Sequence, residues 1–318
     1  MDAEVKAEIK VEGFSEEYEA FLEHLSSIDI RYKSDYFKSA VRFNICFNEN
    51  VLILKQIFSL SNNTIEDFNF NDIFNRESVN YAIMPQEFEV RLFDLFLAIQ
   101  ISRPGEMDFK NVKIHKNTIN DENYKNVGPY YKGLNNPSFT TLEFLDDKDK
   151  QKYYHQFDFE QVWCWLNNFD EFQTEVPKTK LGKALNYIRY MFIQDSIMNI
   201  IWIIMALESL LVENQTFNRN QLYGKINTLH KYFDIEPFSK KEIKDLYEFR
   251  SKIVHGNQMI YRPTLQYNAL NDVEVIDNKI EKYGRMAHEM FLLCIRYLIE
   301  NNKYELSFDE IIEYKLKG

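Results

Sequence analysis

Apolar residues recur at three- and four-residue spacing through the second half of the chain, and this period predicts amphipathic helices. The first periodic run begins near Phe159, with Val162, Trp163 and Leu166 on the same face. Five further predicted helical segments follow, at 181–192, 196–212, 218–233, 239–254 and 275–301, of which 196–212 is apolar almost throughout. We therefore predict that residues 176–318 form an all-α helical bundle.

The segment 239–254 carries signals at both of its ends. Ser239 stands three residues before Glu242, which predicts a capping box in which each side chain satisfies a free amide of the first turn. Gly256 follows His255 at the place where a left-handed residue commonly ends a helix. Both boundaries of this helix are therefore predicted from local chemistry.

The first half of the chain has a different pattern. Between about residues 30 and 150, short runs rich in Phe, Ile, Val and Tyr alternate with Asn-rich turns, which indicates a mixed region that contains strands. The runs at 52–60 and 87–99 fit a helix or a strand, because short apolar runs are ambiguous. The predicted fold class is α+β, with an N-terminal mixed domain at 1–175 and the helical bundle at 176–318.

Two features bear on the compartment. The most apolar run, 197–212, contains Glu208 and is shorter than the roughly 20 apolar residues that a membrane span needs, so we predict a buried core helix. The three cysteines lie far apart and fit no zinc spacing, and the first residues are acidic, unlike a secretory signal. We expect a cytoplasmic protein with no membrane segment.

The charge distribution is uneven along the chain. A formal net charge of −11 argues against a protein that coats nucleic acid over a broad surface. Residues 219–255, however, hold eight Lys or Arg against five acids. Any contact with RNA is therefore expected to be local and to involve this segment.

An arginine and a histidine lie close together at the end of the 239–254 segment. Arg250 precedes His255 by five residues, which corresponds to about 7.5 Å along a helix axis. A guanidinium binds phosphate oxygens through two hydrogen bonds, and an imidazole transfers protons near neutral pH. The spacing alone is also compatible with an exposed arginine and a histidine that interacts with the helix dipole.

The surroundings of this pair resemble the HEPN superfamily of ribonucleases, and within it the Apea-like branch. The resemblance covers residues 180–302. It rests on the apolar helix with Ala206-Leu207-Glu208-Ser209-Leu210-Leu211, the helix ending in His230-Lys231-Tyr232-Phe233, and the segment Arg250-Ser251-Lys252-Ile253-Val254-His255-Gly256.

The resemblance implies a helical bundle that forms a homodimer, so that two motifs face one cleft and cleave RNA without a metal or cofactor. Arg250 and His255 would be catalytic, with Glu208, Ser251 and Lys252 as supporting residues. Glu208 would orient Arg250 or lie in the cleft, or it would be only a buried partner of a basic side chain. The implied role is in prokaryotic anti-phage defence by abortive infection, with RNA (including transfer RNA) as substrate and an unknown phage trigger sensed by residues 1–175.

Two positions depart from the family pattern. Ser251 follows the motif arginine where many active members carry Asn, Asp or His, and Asn257 replaces the Tyr found in members silenced by nucleotide transfer. We therefore expect no nucleotidyltransferase antitoxin partner. The alternative function is a catalytically inactive HEPN module that binds a nucleotide or a protein, and a purely structural dimerisation platform is a third.

Other candidate groups give weaker signals. The remaining histidines lack a second ligand at metal-binding spacing, so we predict no metal site; they are His24, His115, His155, His230 and His288. A cluster of aromatic residues could stack bases, although its helical spacing favours core or interdomain packing. The cluster consists of Tyr153, Tyr154, Phe157, Phe159, Trp163 and Trp165.

Overall fold

A computed structural model describes most of the chain. The described residues are 2–10, 16–33, 40–48, 51–59, 76–104, 110–118, 155–174, 176–191, 198–213, 218–258 and 271–309. The chain divides into two compact units, of which the first comprises Met1–Leu145, Gln156–Phe159 and Arg189–Ser196, and the second the remainder. Residues 160–174 therefore group with the second unit, upstream of the boundary that the sequence predicts after residue 175.

The first unit contains a five-stranded antiparallel sheet with the strand order β2-β3-β4-β1-β5. The strands are β1 (Asp2–Lys10), β2 (Ile30–Lys33), β3 (Ala40–Asn48), β4 (Val51–Ser59) and β5 (Lys110–Thr118). The ambiguous run at 52–60 is thus a strand, with Val51 opposite Lys10 and Ser59 opposite Asp2. Strand β4 pairs with β1 on one side and with β3 on the other. The amide and carbonyl groups of a strand find hydrogen-bond partners only on neighbouring strands, so this pairing stabilises the extended conformation.

Two helices accompany the sheet, α1 (Glu16–Ser27) against β3 and α2 (Arg76–Ser102) against β1. The second ambiguous run, at 87–99, lies within α2. From Phe88 to Ser102 nearly every side chain of α2 is buried, so apolar residues occur all around the helix. A helix that is covered on all sides shows no amphipathic period, which explains why its sequence pattern is ambiguous.

The second unit is helical in its described part and contains all or most of six helices. They are α3 (Phe159–Asn167), α4 (Lys180–Met191), α5 (Met198–Leu211), α6 (Asn218–Tyr232), α7 (Lys240–Val254) and α8 (Asn271–Glu300). All six predicted helical segments are confirmed within the described residues, outside which residues 192, 196 and 197 lie. No strand occurs among the described residues from 176 to 309. Helix α5 packs against α6 and α8, and α6 also packs against α7.

Helix α5 is the predicted core helix. Eight of its 14 residues are buried, among them Ile203, Ile204 and Leu207, which are fully covered. Such burial explains a sequence that is apolar on almost every side. Within the described residues, no helix has the length and apolar character required to cross a membrane.

Three helices of the second unit end in the same hydrogen-bonded motif, in which a residue with positive φ follows the helix. The backbone amides of Ile235, Asn257 and Lys303 donate to the carbonyls of His230, Lys252 and Leu298, each at 2.8 Å. These are the bonds of the Schellman motif. The residues with positive φ are Asp234 (54°), Gly256 (70°) and Asn302 (48°).

The two helix ends at Asp234 and Gly256 predict opposite stability changes. Gly256→Ala should lower the free energy of unfolding by about 1 kcal/mol, because a Cβ disfavours the left-handed conformation. The cause is the backbone alone, since a Cβ at Gly256 would meet no atom within 4 Å. Asp234→Gly should raise the free energy of unfolding by about 0.5 kcal/mol, because glycine adopts a positive φ without strain. Denaturant unfolding of the full chain tests both variants, and a loss of stability in Asp234→Gly would contradict this account.

Candidate functional site

Helix α7 carries the predicted catalytic pair, and its beginning is fixed by the predicted capping box. The Glu242 amide donates to Ser239 Oγ at 3.2 Å, and the Ser239 amide donates to the Glu242 carboxylate at 2.8 Å. Hydrogen bonds from the Ser239 backbone and side chain lower the pKa of the Glu242 carboxyl group. The capping box is confirmed and holds the first turn of the helix in place.

The other end of α7 holds His255. This residue is the C-cap, and its amide donates to the Ser251 carbonyl at 3.0 Å. Its side chain is exposed, and Gly256 follows in the predicted left-handed conformation. The backbone that carries the imidazole is therefore fixed by the last turn, while the ring is accessible to a ligand.

Arg250 lies one and a half turns before His255 and faces helix α5. Its Nη2 lies 3.8 Å from Oε2 of Glu208, with side chains 30% and 19% exposed respectively. The separation is that of an ion pair that is too long for a hydrogen bond. The structure thus brings together two of the predicted site residues from separate helices, and both remain partly accessible.

Ser251 and Lys252 contribute through their backbone. The Ser251 carbonyl accepts the His255 amide, and the Lys252 carbonyl accepts the amides of Asn257 and Gln258 at 2.8 and 3.1 Å. The Ser251 side chain is half-buried and the Lys252 side chain is exposed. These contacts stabilise the helix end that carries His255, a role that the sequence analysis did not specify.

The structure does not join the two predicted catalytic side chains directly. Within the described part of the chain, no hydrogen bond or ion pair links Arg250 to His255. Their angular offset of about 140° on the helix accounts for this separation. A ligand of phosphate size, or a second copy of the helix, would be needed to bring both groups to one reacting centre.

Tyr247 belongs to the same cluster and was missed by the sequence analysis. Burial, followed by the negative charge of Glu208, raises the pKa of the Tyr247 hydroxyl, while the Arg250 charge opposes the shift. Its position three residues before Arg250 places both on one face of α7. The three-residue spacing of Tyr247 and Arg250 was the available sequence signal. Only the tertiary structure shows that this face of α7 meets Glu208 of α5.

The basic segment 219–255 is less positive at its surface than its sequence suggests. Lys225 is buried and its Nζ lies 2.7 Å from the Glu213 carboxylate, while Lys244 pairs with Glu248 at 3.3 Å. Of the eight cations in the segment, Lys225 is therefore not available at the surface, and Lys244 is exposed but paired with an acid of the same segment. The exposed cations of the segment are Arg219, Lys231, Lys240, Lys241, Lys244 and Lys252.

The buried histidines of the second unit have structural contacts. Nδ1 of His230 lies 2.8 Å from the Ile226 carbonyl, and its ring packs edge-on against Phe238. Nδ1 of His288 lies 2.8 Å from the Gly284 carbonyl, and burial lowers its pKa to about 3. His288 is therefore neutral at physiological pH and is not a candidate acid. The His115 side chain lies outside the described residues.

The aromatic cluster serves packing. Phe157 and Phe159 are buried in the first unit, and Trp163 and Trp165 are buried in the second. The Trp165 ring stacks on Tyr304 at 5.5 Å, and its indole N–H donates to the Lys303 carbonyl at 3.2 Å. The packing interpretation is confirmed for these four residues. Tyr153 and Tyr154 lie outside the described residues.

The cluster on α5 and α7 has the chemical groups for a reaction at phosphate. Arg250 supplies a permanent positive charge, Glu208 can fix its orientation, and His255 supplies an accessible imidazole for proton transfer. Comparison of the chain with models of known families, with curated proteins and with solved structures gave no match.

Proposed function

We propose that the chain is a metal-independent endoribonuclease of the HEPN type, with Arg250 and His255 as its catalytic residues. The observation that carries this proposal is the ion pair between Glu208 and Arg250, which joins helices α5 and α7. The resemblance to the HEPN superfamily likewise implies that Glu208 orients Arg250, although the two residues are separated by more than 40 positions in sequence. The fixed helix end beneath His255 adds to this support.

In the proposed reaction, the 2′-hydroxyl of RNA attacks the adjacent phosphorus and the bond to the 5′-oxygen breaks. An imidazole takes the proton of the 2′-hydroxyl, and an acid returns a proton to the departing oxygen. Arg250 binds the phosphate oxygens and stabilises the charge that grows on them in the transition state. The products are a 2′,3′-cyclic phosphate and a 5′-hydroxyl.

A homodimer supplies the second proton-transfer group in this proposal. One His255 cannot serve as base and acid at the same instant, whereas two copies of α7 at a twofold axis provide two imidazoles and two guanidiniums. The exposed Val254, which is 52% accessible between Arg250 and His255, is suited to such a contact. Burial of an apolar side chain in the interface would favour association.

We further propose that this activity serves anti-phage defence, with the first unit as a sensing or regulatory part that responds to a phage trigger. A ribonuclease that cleaves cellular RNA is toxic to its host and requires restraint. The substrate in this proposal is RNA, with transfer RNA as the first class to test. The exposed lysines of α7 would attract it locally, despite the acidic net charge.

RNA cleavage in the presence of EDTA tests the proposed function. Purified full-length protein should cut total RNA or transfer RNA in EDTA and leave 2′,3′-cyclic phosphate ends, because the nucleophile is the 2′-hydroxyl and no metal takes part. The ends are identified by mass spectrometry of the fragments. Fragments with 5′-phosphates, or cleavage that EDTA abolishes, would contradict the proposal.

A catalytically inactive module that binds a nucleotide or protein through the same cluster is the second candidate. The observation that favours it is that no hydrogen bond or ion pair joins the Arg250 and His255 side chains among the described residues. Such a module would bind RNA or nucleotides through Arg250 and yield no cleavage products at any enzyme concentration. The EDTA assay, run together with a binding measurement, distinguishes the two candidates.

A further inference from the structure

Besides Arg250, a second polar side chain interacts with Glu208, namely that of Tyr247. We propose that Tyr247 is a positioning residue that donates its hydroxyl to Glu208 and thereby holds this carboxylate where it orients Arg250 for a phosphate. The inference rests on the proposed function, because it assigns a role in the same site. The inference adds Tyr247 to the proposed site, and no sequence motif identifies this residue.

Tyr247 and Arg250 share one face of α7, because they are three residues apart on this helix. Arg250 lies 3.8 Å from the Glu208 carboxylate of α5, and the charge of this carboxylate also raises the pKa of Tyr247. The Tyr247 hydroxyl oxygen and Arg250 Nε are both buried, and neither forms a hydrogen bond of ordinary length among the residues described. The Tyr247 hydroxyl nevertheless interacts with the Glu208 carboxylate, which makes it a buried donor beside a strong acceptor.

An unpaired buried donor is destabilising, so its presence beside the predicted site calls for an explanation. Arginine has a long, flexible side chain, and fixing it for a bidentate phosphate contact requires a firmly held partner. Glu208 is bound to Arg250 only loosely, at 3.8 Å. A hydrogen bond from Tyr247 would restrict the carboxylate and, through it, the guanidinium.

RNA binding by a double-mutant cycle tests this role, with a fluorescein-labelled, 2′-O-methylated single-stranded RNA as a probe that cannot be cleaved. Four proteins are compared: wild type, Tyr247→Phe, Glu208→Leu and the double variant, because leucine keeps no atom that could accept a hydrogen bond from the hydroxyl. Tyr247→Phe should weaken binding about three- to tenfold. In the Glu208→Leu background the same change should have almost no further effect, because the hydroxyl acts through Glu208.

The control variant is Tyr232→Phe, which removes a hydroxyl from an exposed tyrosine whose ring contacts are to Phe233 and Tyr297. Its binding should equal that of wild type. Denaturant unfolding of each variant shows whether the fold is kept, and a purely structural role of Tyr247 would change unfolding without a coupling to Glu208 in binding.

The outcomes separate this inference from the proposed function. Wild-type binding that is unchanged in Tyr247→Phe would overturn the role of Tyr247 alone. An equal loss in both backgrounds would also overturn it, since the hydroxyl would then act independently of Glu208. A wild type that neither binds the probe nor cleaves RNA would overturn the proposed function, and this inference with it.

Discussion

Replacing Arg250 with alanine should lower the single-turnover rate of RNA cleavage by at least about a hundredfold, because removal of one preorganised donor to a transition-state charge typically has this effect. His255→Ala should lower it by about a hundred- to ten-thousandfold, through loss of proton transfer. The rates are measured in EDTA from the appearance of cyclic-phosphate ends. Because the two groups act on one transition state, the double variant should be little slower than the slower single variant.

The control for both variants is Lys183→Ala, which removes an exposed cation from helix α4, outside the basic segment 219–255. It should cleave at close to the wild-type rate. Arg250→Lys adds a sharper comparison, since it keeps the charge but loses the planar fork that binds two phosphate oxygens. Undiminished cleavage by Arg250→Ala or by His255→Ala would remove the catalytic assignment of that residue.

Replacing Asp94 with alanine should lower the free energy of unfolding of the first unit by about 3 kcal/mol, through the loss of a buried carboxylate shared by two arginines. Asp94 is 1% exposed and Arg91 is 3% exposed. One carboxylate oxygen lies 3.2 Å from Arg91 Nη1, and the other lies 2.6 Å from Arg189 Nη2 and 2.8 Å from Arg189 Nε. Arg189 belongs to the first unit, so the cluster lies within it.

Denaturant unfolding of the full chain measures this effect, with Glu23→Ala as the control. Glu23 is an exposed carboxylate on α1 of the same unit, and its removal should change stability by less than about 0.5 kcal/mol. Replacing Asp94, Arg91 and Arg189 together by apolar residues of similar size should be less harmful than Asp94→Ala, because the three charges of the cluster are then removed together. An Asp94→Ala variant as stable as Glu23→Ala would show that the cluster contributes little.

Local sequence determined the helices of the second unit and their ends. Helical periodicity located the amphipathic segments, since an amphipathic face must repeat every 3.6 residues to be buried, and the long apolar run at 197–212 located the core helix α5. The capping box at Ser239 and the left-handed Gly256 could be read directly, because both arise from hydrogen bonds and backbone conformations within a few residues. The left-handed conformation of Asp234 was not predicted, since an aspartate gives a weaker sequence signal for this conformation than a glycine.

The candidate site was accessible from the sequence only in part. Arg250 and His255 lie in one short segment, so their chemistry and spacing could be recognised together. The contact of Arg250 with Glu208 was implied by resemblance and by no local pattern, because it depends on how α5 and α7 pack. Tyr247 was missed for the same reason, as was the pairing of Lys225 with Glu213.

In the first unit, tertiary structure decided what the sequence left open. The runs at 52–60 and 87–99 are both short and apolar, yet one is a strand and the other lies in a helix. The difference comes from their neighbours: β4 is paired on both sides by β1 and β3, and α2 is covered on nearly all sides in its second half. By itself the sequence determined the hydrogen bonds within one helix and the burial of one helix face. Strand pairing and complete burial were decided by segments distant in the chain, because both depend on which segments meet in space.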